Sequence, residues 1–432
     1  MKTNMSRQLT TQEERKTMKS SSKRFHSALI LAGVVAASLA QSAMANTTFN
    51  FNASNVAANW SLGANWGGTA PAPSTSTNNL LDLIFSGFAN STFANNDFTA
   101  GSIFNNITLG NTSTVYTLNG NSIVLDGNMT IQTANPVAGV VNLNMDLGGG
   151  VRTFSVGLNS FTGGHYVWGD AYVNGIISNG GITKINGNTG GIFGRLYLTG
   201  ANTYQGVTTI TNGEISVATL GGTQGAGGGT ASNLGAAGNA AANLVFNTTA
   251  GALQYTGVTA STDRNFTINA NMYATFDITK SGTNLTWTGA ANGGIASTNG
   301  SIAKTGLGTL TFTTAQNNTG TNYVNGGTLA LDFSQTGAAT SNILNSASAL
   351  NFAGLGTNNG GSIVASATLN IIGKGGTTNT ANSQTFASLS AAPPAEGSVA
   401  AHLNLSGGTA GNPLNVIITN GLSSFVGNNN GN

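Results

Sequence analysis

From Asn46 onward the chain is a succession of short strand-like pieces, among them NITLG, VYTLNG, SIVLDG, MTIQT and VNLNMDL. Gly, Asn or Asp sets them apart about every 8–12 residues, and no sustained helical periodicity interrupts them. Such spacing fits a sandwich, a barrel or a β-solenoid, and a longer repeat chooses among these. Residues 200–217 (GANTYQGVTTITNGEISV) and 314–331 (TAQNNTGTNYVNGGTLAL) align so that Ala201/Ala315, Gly206/Gly320 and Gly213/Gly327 coincide. The apolar positions Ile210/Val324, Ile215/Leu329 and Val217/Leu331 coincide as well. Upstream, Ile182-x-Lys184 matches Ile302-x-Lys304, and Arg152-Thr-Phe154 matches Arg264-Asn-Phe266. Each copy is roughly 115 residues long, too large for one turn of a solenoid, so each must comprise several coils.

Composition supports a stacked array. Charged residues are only 6% of the chain, against about a quarter in an ordinary soluble domain. Like charges one coil apart would repel along the whole ladder, whereas Thr, Ser and Asn offer hydrogen bonds to their copies above and below. Gly and Asn suit the corners because those backbones reach positive φ at little steric cost. At ~20–25 residues per coil the chain from Asn46 gives roughly sixteen to nineteen coils at the strand spacing.

The formal charge of +2 is misleading about partners. Residues 1–45 hold seven of the fourteen Lys and Arg; beyond them stand seven basic and ten acidic residues, thinly scattered. No face can be basic enough to hold a phosphate backbone, so nucleic acid is not an expected partner. The absence of Cys removes disulfides, thiol catalysis and Cys-based metal sites.

An export signal opens the chain. Lys23 and Arg24 precede the apolar run ALILAGVVAASLA, and Ala43-Met44-Ala45 then offers a small-x-small cleavage site. The run is too short for a stable membrane anchor. Translation starts at Met1, with an extended basic leader, or at Met18. The expected mature chain begins at Asn46 with no membrane-spanning segment, and the expected location is secreted or at the bacterial cell surface, associated with the outer membrane.

The stretches GGITKINGNTGGIFGRLYLTGANTYQGVTTITNGEISV and SIAKTGLGTLTFTTAQNNTGTNYVNGGTLALD resemble autotransporter-associated β-strand repeats, also called passenger-associated transport repeats. The second copy keeps the Lys304-Thr-Gly-Leu-Gly-Thr-Leu core of that pattern, and the first keeps Asn202-Thr-Tyr-x-Gly206. The resemblance implies an all-β fold, a right-handed parallel β-helix. It divides the chain into a signal (1–45), N-terminal coils with a cap (46–150), two long repeats (151–335) and further coils (336–432). It also implies a structural or adhesive passenger without catalytic activity or cofactor, whose partners are surface glycans or other cell-surface proteins. The family's barrel or sorting tail is not found before GNNNGN, so the chain reads as a fragment or a freely secreted form.

The alternative is a carbohydrate-binding or polysaccharide-active β-helix. An enzyme of that kind needs acids converging on one ladder. Asp82, Asp97, Asp126, Asp146, Asp170, Asp263, Asp277 and Asp332 are widely spaced and read mostly as turn residues. His165 and His402 stand far apart without a second ligand, so no metal site is expected. In HYVWGDAYV, a strand would put Tyr166, Trp168, Asp170 and Tyr172 on one face, where the aromatics could stack on sugar rings. Trp60 and Trp66 read as a cover for the first coil, and Arg152, Arg264, Lys184 and Lys304 as structural groups bonding corner carbonyls. The stretch Gly221 to Gly238 reads as a loop bulging from a coil, with a flexible hinge as the alternative. In GTLTF, Leu310 and Phe312 should face inward and Thr309, Thr311 and Thr313 solvent.

Overall fold

The computed structural model describes residues 46–52, 58–86, 93–112, 116–133, 138–158, 169–187, 194–221, 229–294, 299–352, 366–375, 381–391, 400–407 and 412–423. The chain divides into two units after Thr47, and the account below concerns the second. The expected cleavage residues Ala43 and Ala45 lie outside the described residues; Asn46 is exposed, one residue before the first strand.

Alternating apolar residues make short strands, and every strand pairing within the sheets is parallel, one coil to the next. The chain visits three sides in turn. The first side is a nine-stranded sheet from Thr47–Phe51 to Thr267–Ile268. It continues through the bridges Phe266–Ala291 and Gln316–Leu344 to a pair of strands, Asn382–Phe386 and Leu414–Ile418. The second side is one thirteen-stranded sheet from Phe93–Asn96 to Leu422–Ser423. The third side begins as a four-stranded sheet and resumes at Ala260–Thr262 as a six-stranded one. This circuit is a parallel β-helix, as the alternation and the repeat implied.

Among the described residues there are fewer coils than expected. The longest sheet carries thirteen strands, a stack about 58 Å tall at the strand spacing. Coils vary because corners take up insertions: coil-to-coil partners are separated by 20 residues at Ile302–Asn322 and by 38 at Ser216–Gln254. The long coil contains the Gly-dense stretch, of which 222–228 lie outside the described residues. The rest is tied down. Asn233 accepts from the amides of Ala218 and Thr219 and donates to the carbonyls of Thr199 and Gly200. Arg264 donates to the carbonyls of Leu220 and Gly235, gripping both limbs of the excursion.

Inward side chains form apolar columns. On the first side one column runs Leu83, Ile107, Met129, Phe154, Lys184, Ile210, Phe246, Ile268. On the second side another runs Ala171, Leu196, Ile215, Leu253, Phe276, Lys304, Val324, Phe352. Each column thus contains one lysine of the sequence repeat. The N-terminal end is closed by aromatics: Trp66 packs on Phe51 and Phe85, and Trp60 on Phe85 and Phe104. The indole N–H of Trp66 donates to the Trp60 carbonyl at 2.6 Å, and both rings are buried.

Two expectations about individual positions fail. Thr311 and Thr313 are each only 4% exposed, because the outward face of this strand is covered; the Thr311 hydroxyl donates to Asn284 Oδ1 at 2.7 Å. The acids are not mostly turn residues either. Asp82, Asp146, Asp170, Asp277 and Asp332 lie in strands, where outward positions accept side-chain and backbone N–H donors from neighbouring coils and turns.

Candidate functional site

Acids and bases that are remote in sequence gather on the outward face of the thirteen-stranded sheet. Four of its strands open with glycine and then alternate: Gly169–Val173 (GDAYV), Gly194–Leu198 (GRLYL), Gly213–Val217 (GEISV) and Gly251–Tyr255 (GALQY). Parallel register stacks their outward residues in two columns. One runs Asp170, Arg195, Glu214, Ala252, Thr275; the other runs Tyr172, Tyr197, Ser216, Gln254, Asp277.

The outer end of this cluster is half exposed. Arg195 grips Asp170 through Nε at 3.0 Å and Nη2 at 3.3 Å, and its Nε lies 4.0 Å from Glu214. The guanidinium sits 5.4 Å from the centre of the Tyr197 ring. Tyr197 stacks on Tyr172 at 4.3 Å with an interplanar angle of 7°. Tyr172 therefore has one ring face occupied by protein. Tyr166 and Trp168, the other members of the expected sugar-stacking strip, lie outside the described residues.

The inner end is closed. Glu214 and Asp277 are 1% and 0% exposed. Gln254 Nε2 links them, donating to Glu214 at 3.3 Å and to Asp277 at 3.0 Å, while its Oε1 accepts from Ser216. Burial pushes the Asp277 carboxyl up, against the opposing pull of Gln254, Lys304 and Arg195. Asp170 and Glu214 share one column and Asp277 stands in the other, four strands from Asp170, so the three acids do not meet in one place as the enzyme alternative requires. Two of the three are sealed from any polysaccharide.

Behind the strands stand the two repeat lysines, both fully buried. Lys184 Nζ donates to the carbonyls of Ile185 (2.7 Å) and Asn212 (3.2 Å) and lies 3.4 Å from Asn186 Oδ1. Lys304 Nζ donates to the carbonyls of Thr305, Gly306 and Gly326 at 2.5, 3.0 and 3.1 Å. In both, the stem fills a core column while the ammonium saturates carbonyls of two successive corners. Burial lowers each to about 7; Glu214 opposes the shift at Lys184 and Asp277 at Lys304. The repeat arginines also bond carbonyls. Arg152 donates to Leu147 and Asp126 and pairs with the Asp126 carboxylate at 2.5 Å.

Sequence reasoning missed Arg195, Glu214, Gln254 and Asp277 as a group. The glycine-opened strands GDAYV, GRLYL, GEISV and GALQY, aligned on their glycines, carried the signal. Among the described residues no group of three or more His, Cys, Asp or Glu side chains could hold a metal ion. No helix of the described residues is long and apolar enough to cross a membrane.

An all-parallel β-helix with nearly uncharged polar walls has the architecture of an autotransporter passenger. Over 129 residues the chain is 38% identical to the adhesin BmaC autotransporter of Brucella suis biovar 1 (strain 1330). The match covers 30% of this chain and 3% of that protein, so the chain spans a small fraction of that relative's length. No described protein family and no solved structure matches the chain.

Proposed function

We propose that the chain from Asn46 is exported and acts at the bacterial cell surface as a stiff adhesive passenger that does no catalysis. The observation that carries this reading is the pairing of a thirteen-stranded parallel stack with sequence similarity to an autotransporter adhesin. A stack of this kind projects a surface away from the cell without needing charge or disulfides. The half-exposed patch of Asp170, Tyr172, Arg195 and Tyr197 is the contact region assigned here, and its partners are surface glycans or other cell-surface proteins. Burial of Glu214 and Asp277 weighs against the polysaccharide-active alternative, since those acids cannot touch a chain in solvent. The test is display of the full chain on a non-adherent bacterium, with attachment to host cells and to a glycan array as readouts. Attachment above the undisplayed strain, reduced by Arg195→Ala with Tyr197→Ala, is expected. Attachment no greater than the parent strain's would sink the adhesive reading. Mass spectrometry of the secreted product should find Asn46 as its first residue.

A further inference from the structure

The two lysine corners share a cage and differ in what surrounds it. Around Lys304 the acceptors are three backbone carbonyls. In the first copy the places of Gly306, Gly326 and Thr328 are taken by Asn186, Asn212 and Glu214, two carboxamides and a carboxylic acid. Asn186 Oδ1, 3.4 Å from Lys184 Nζ, also accepts from the Gly194 amide at 3.0 Å. Asn186 Nδ2 donates to Asn212 Oδ1 at 3.1 Å, so the carboxamide is held at both ends. A Cβ on Gly213 would lie 2.7 Å from Nζ, and the next residue is the buried Glu214.

We propose that Lys184 and Asn186 condense into an intramolecular isopeptide bond. The uncharged Nζ attacks Cγ of Asn186. The Nζ–Cγ bond forms, the Cγ–Nδ2 bond breaks, and ammonia leaves. One proton moves from Nζ to the departing nitrogen. Negative charge that develops on Oδ1 falls on the Gly194 N–H already directed at it. No oxidant, metal or further reactant enters the balance. Two conditions meet at this corner: an amide held at both ends within reach of Nζ, and a lysine that burial brings to about 7. Lys304 has the second condition and no carboxamide, so it remains a free amine and serves as a control within the same molecule.

The test is the intact mass and tryptic map of the folded full chain. The expected result is the loss of one ammonia, about 17 Da, that survives denaturation. Trypsin should cut after Lys304 but not after Lys184, and fragmentation should place the link between Lys184 and Asn186. Asn186→Ser should restore both the mass and the cleavage. An unmodified mass overturns the proposal, whether or not the variants fold. So does a loss of ammonia with cleavage after Lys184 intact, which would mark a succinimide ring at Asn186-Gly187 instead.

Discussion

The corner around Lys184 and the corner around Lys304 are one device set on different walls of the helix. Lys184 belongs to a strand of the first side and Lys304 to a strand of the second, although Arg152 and Arg264 upstream both open stretches of the first side. The later copy has advanced by one side between its arginine and its lysine. Two of the three acceptors keep their places, and so does the positive-φ glycine that follows the last carbonyl, Gly213 at 71° and Gly327 at 59°. The repeat therefore encodes a corner and two flanking strands, and is indifferent to which side they form.

If the glycines are what the two corners share, replacing either should be the most damaging change. A Cβ at Gly327 would lie 2.4 Å from the Gly308 carbonyl oxygen, and at Gly213 2.4 Å from that of Gly194. With the strained φ added, Gly213→Val and Gly327→Val should each lose upward of ~3 kcal/mol in denaturant unfolding. A tolerated substitution at one corner alone would break the equivalence.

Next in size are the walls of the second corner. Leu310→Asp buries an unpaired carboxylate in the core and should cost several kcal/mol. Thr311→Asp should now cost at least ~2 kcal/mol, since Thr311 is buried and hydrogen-bonded to Asn284. Leu307→Asp, at a position 54% exposed, should be close to neutral. Equal stability of the Thr311 and Leu307 variants would mean that this outward face is open.

The lysine corners also respond to pH. Lys304 is lowered to about 7 in the folded chain, whereas its unfolded value is near 10.5, so the unfolded state binds more protons between those limits. Stability should then rise as pH goes from 7 to 10, by at most about 1.4 kcal/mol per pH unit for each titrating lysine. An acylated Lys184 cannot titrate, so the slope should be that of one lysine, and Lys304→Met should flatten it. A slope of two lysines would mean that both are free amines and that the two corners do not differ in this way. The smallest change expected is Asp170→Asn, which removes a partly exposed ion pair worth ~1 kcal/mol or less by equilibrium unfolding.

Much of the fold was legible before any coordinates. Alternation placed Leu310 and Phe312 inward, and both are fully buried. The repeat implied a solenoid, and Trp60 and Trp66 were recognisable as a cover. The polar cluster was not legible as a site. Asp170 and Arg195 are 25 residues apart, Glu214 and Gln254 are 40, and Gln254 and Asp277 are 23. Irregular coil lengths hide a register that is strict in space, because corners absorb insertions at little cost while strands cannot slip without turning their core side chains outward.

The sequence by itself determined that this chain stacks short strands, that alternate side chains such as Leu310 and Phe312 point inward, and that glycine recurs at equivalent corners, Gly213 and Gly327. Those are properties of alternate residues and of single backbone angles, and they act within a few positions. Only the tertiary structure decided which strand lies over which. That choice buries Lys184 among Phe154 and Ile210, brings Glu214 and Asp277 to one glutamine, and covers Thr311 from outside. Partners one coil apart are fixed by the length of the corners between them, and nothing local to a strand records that length.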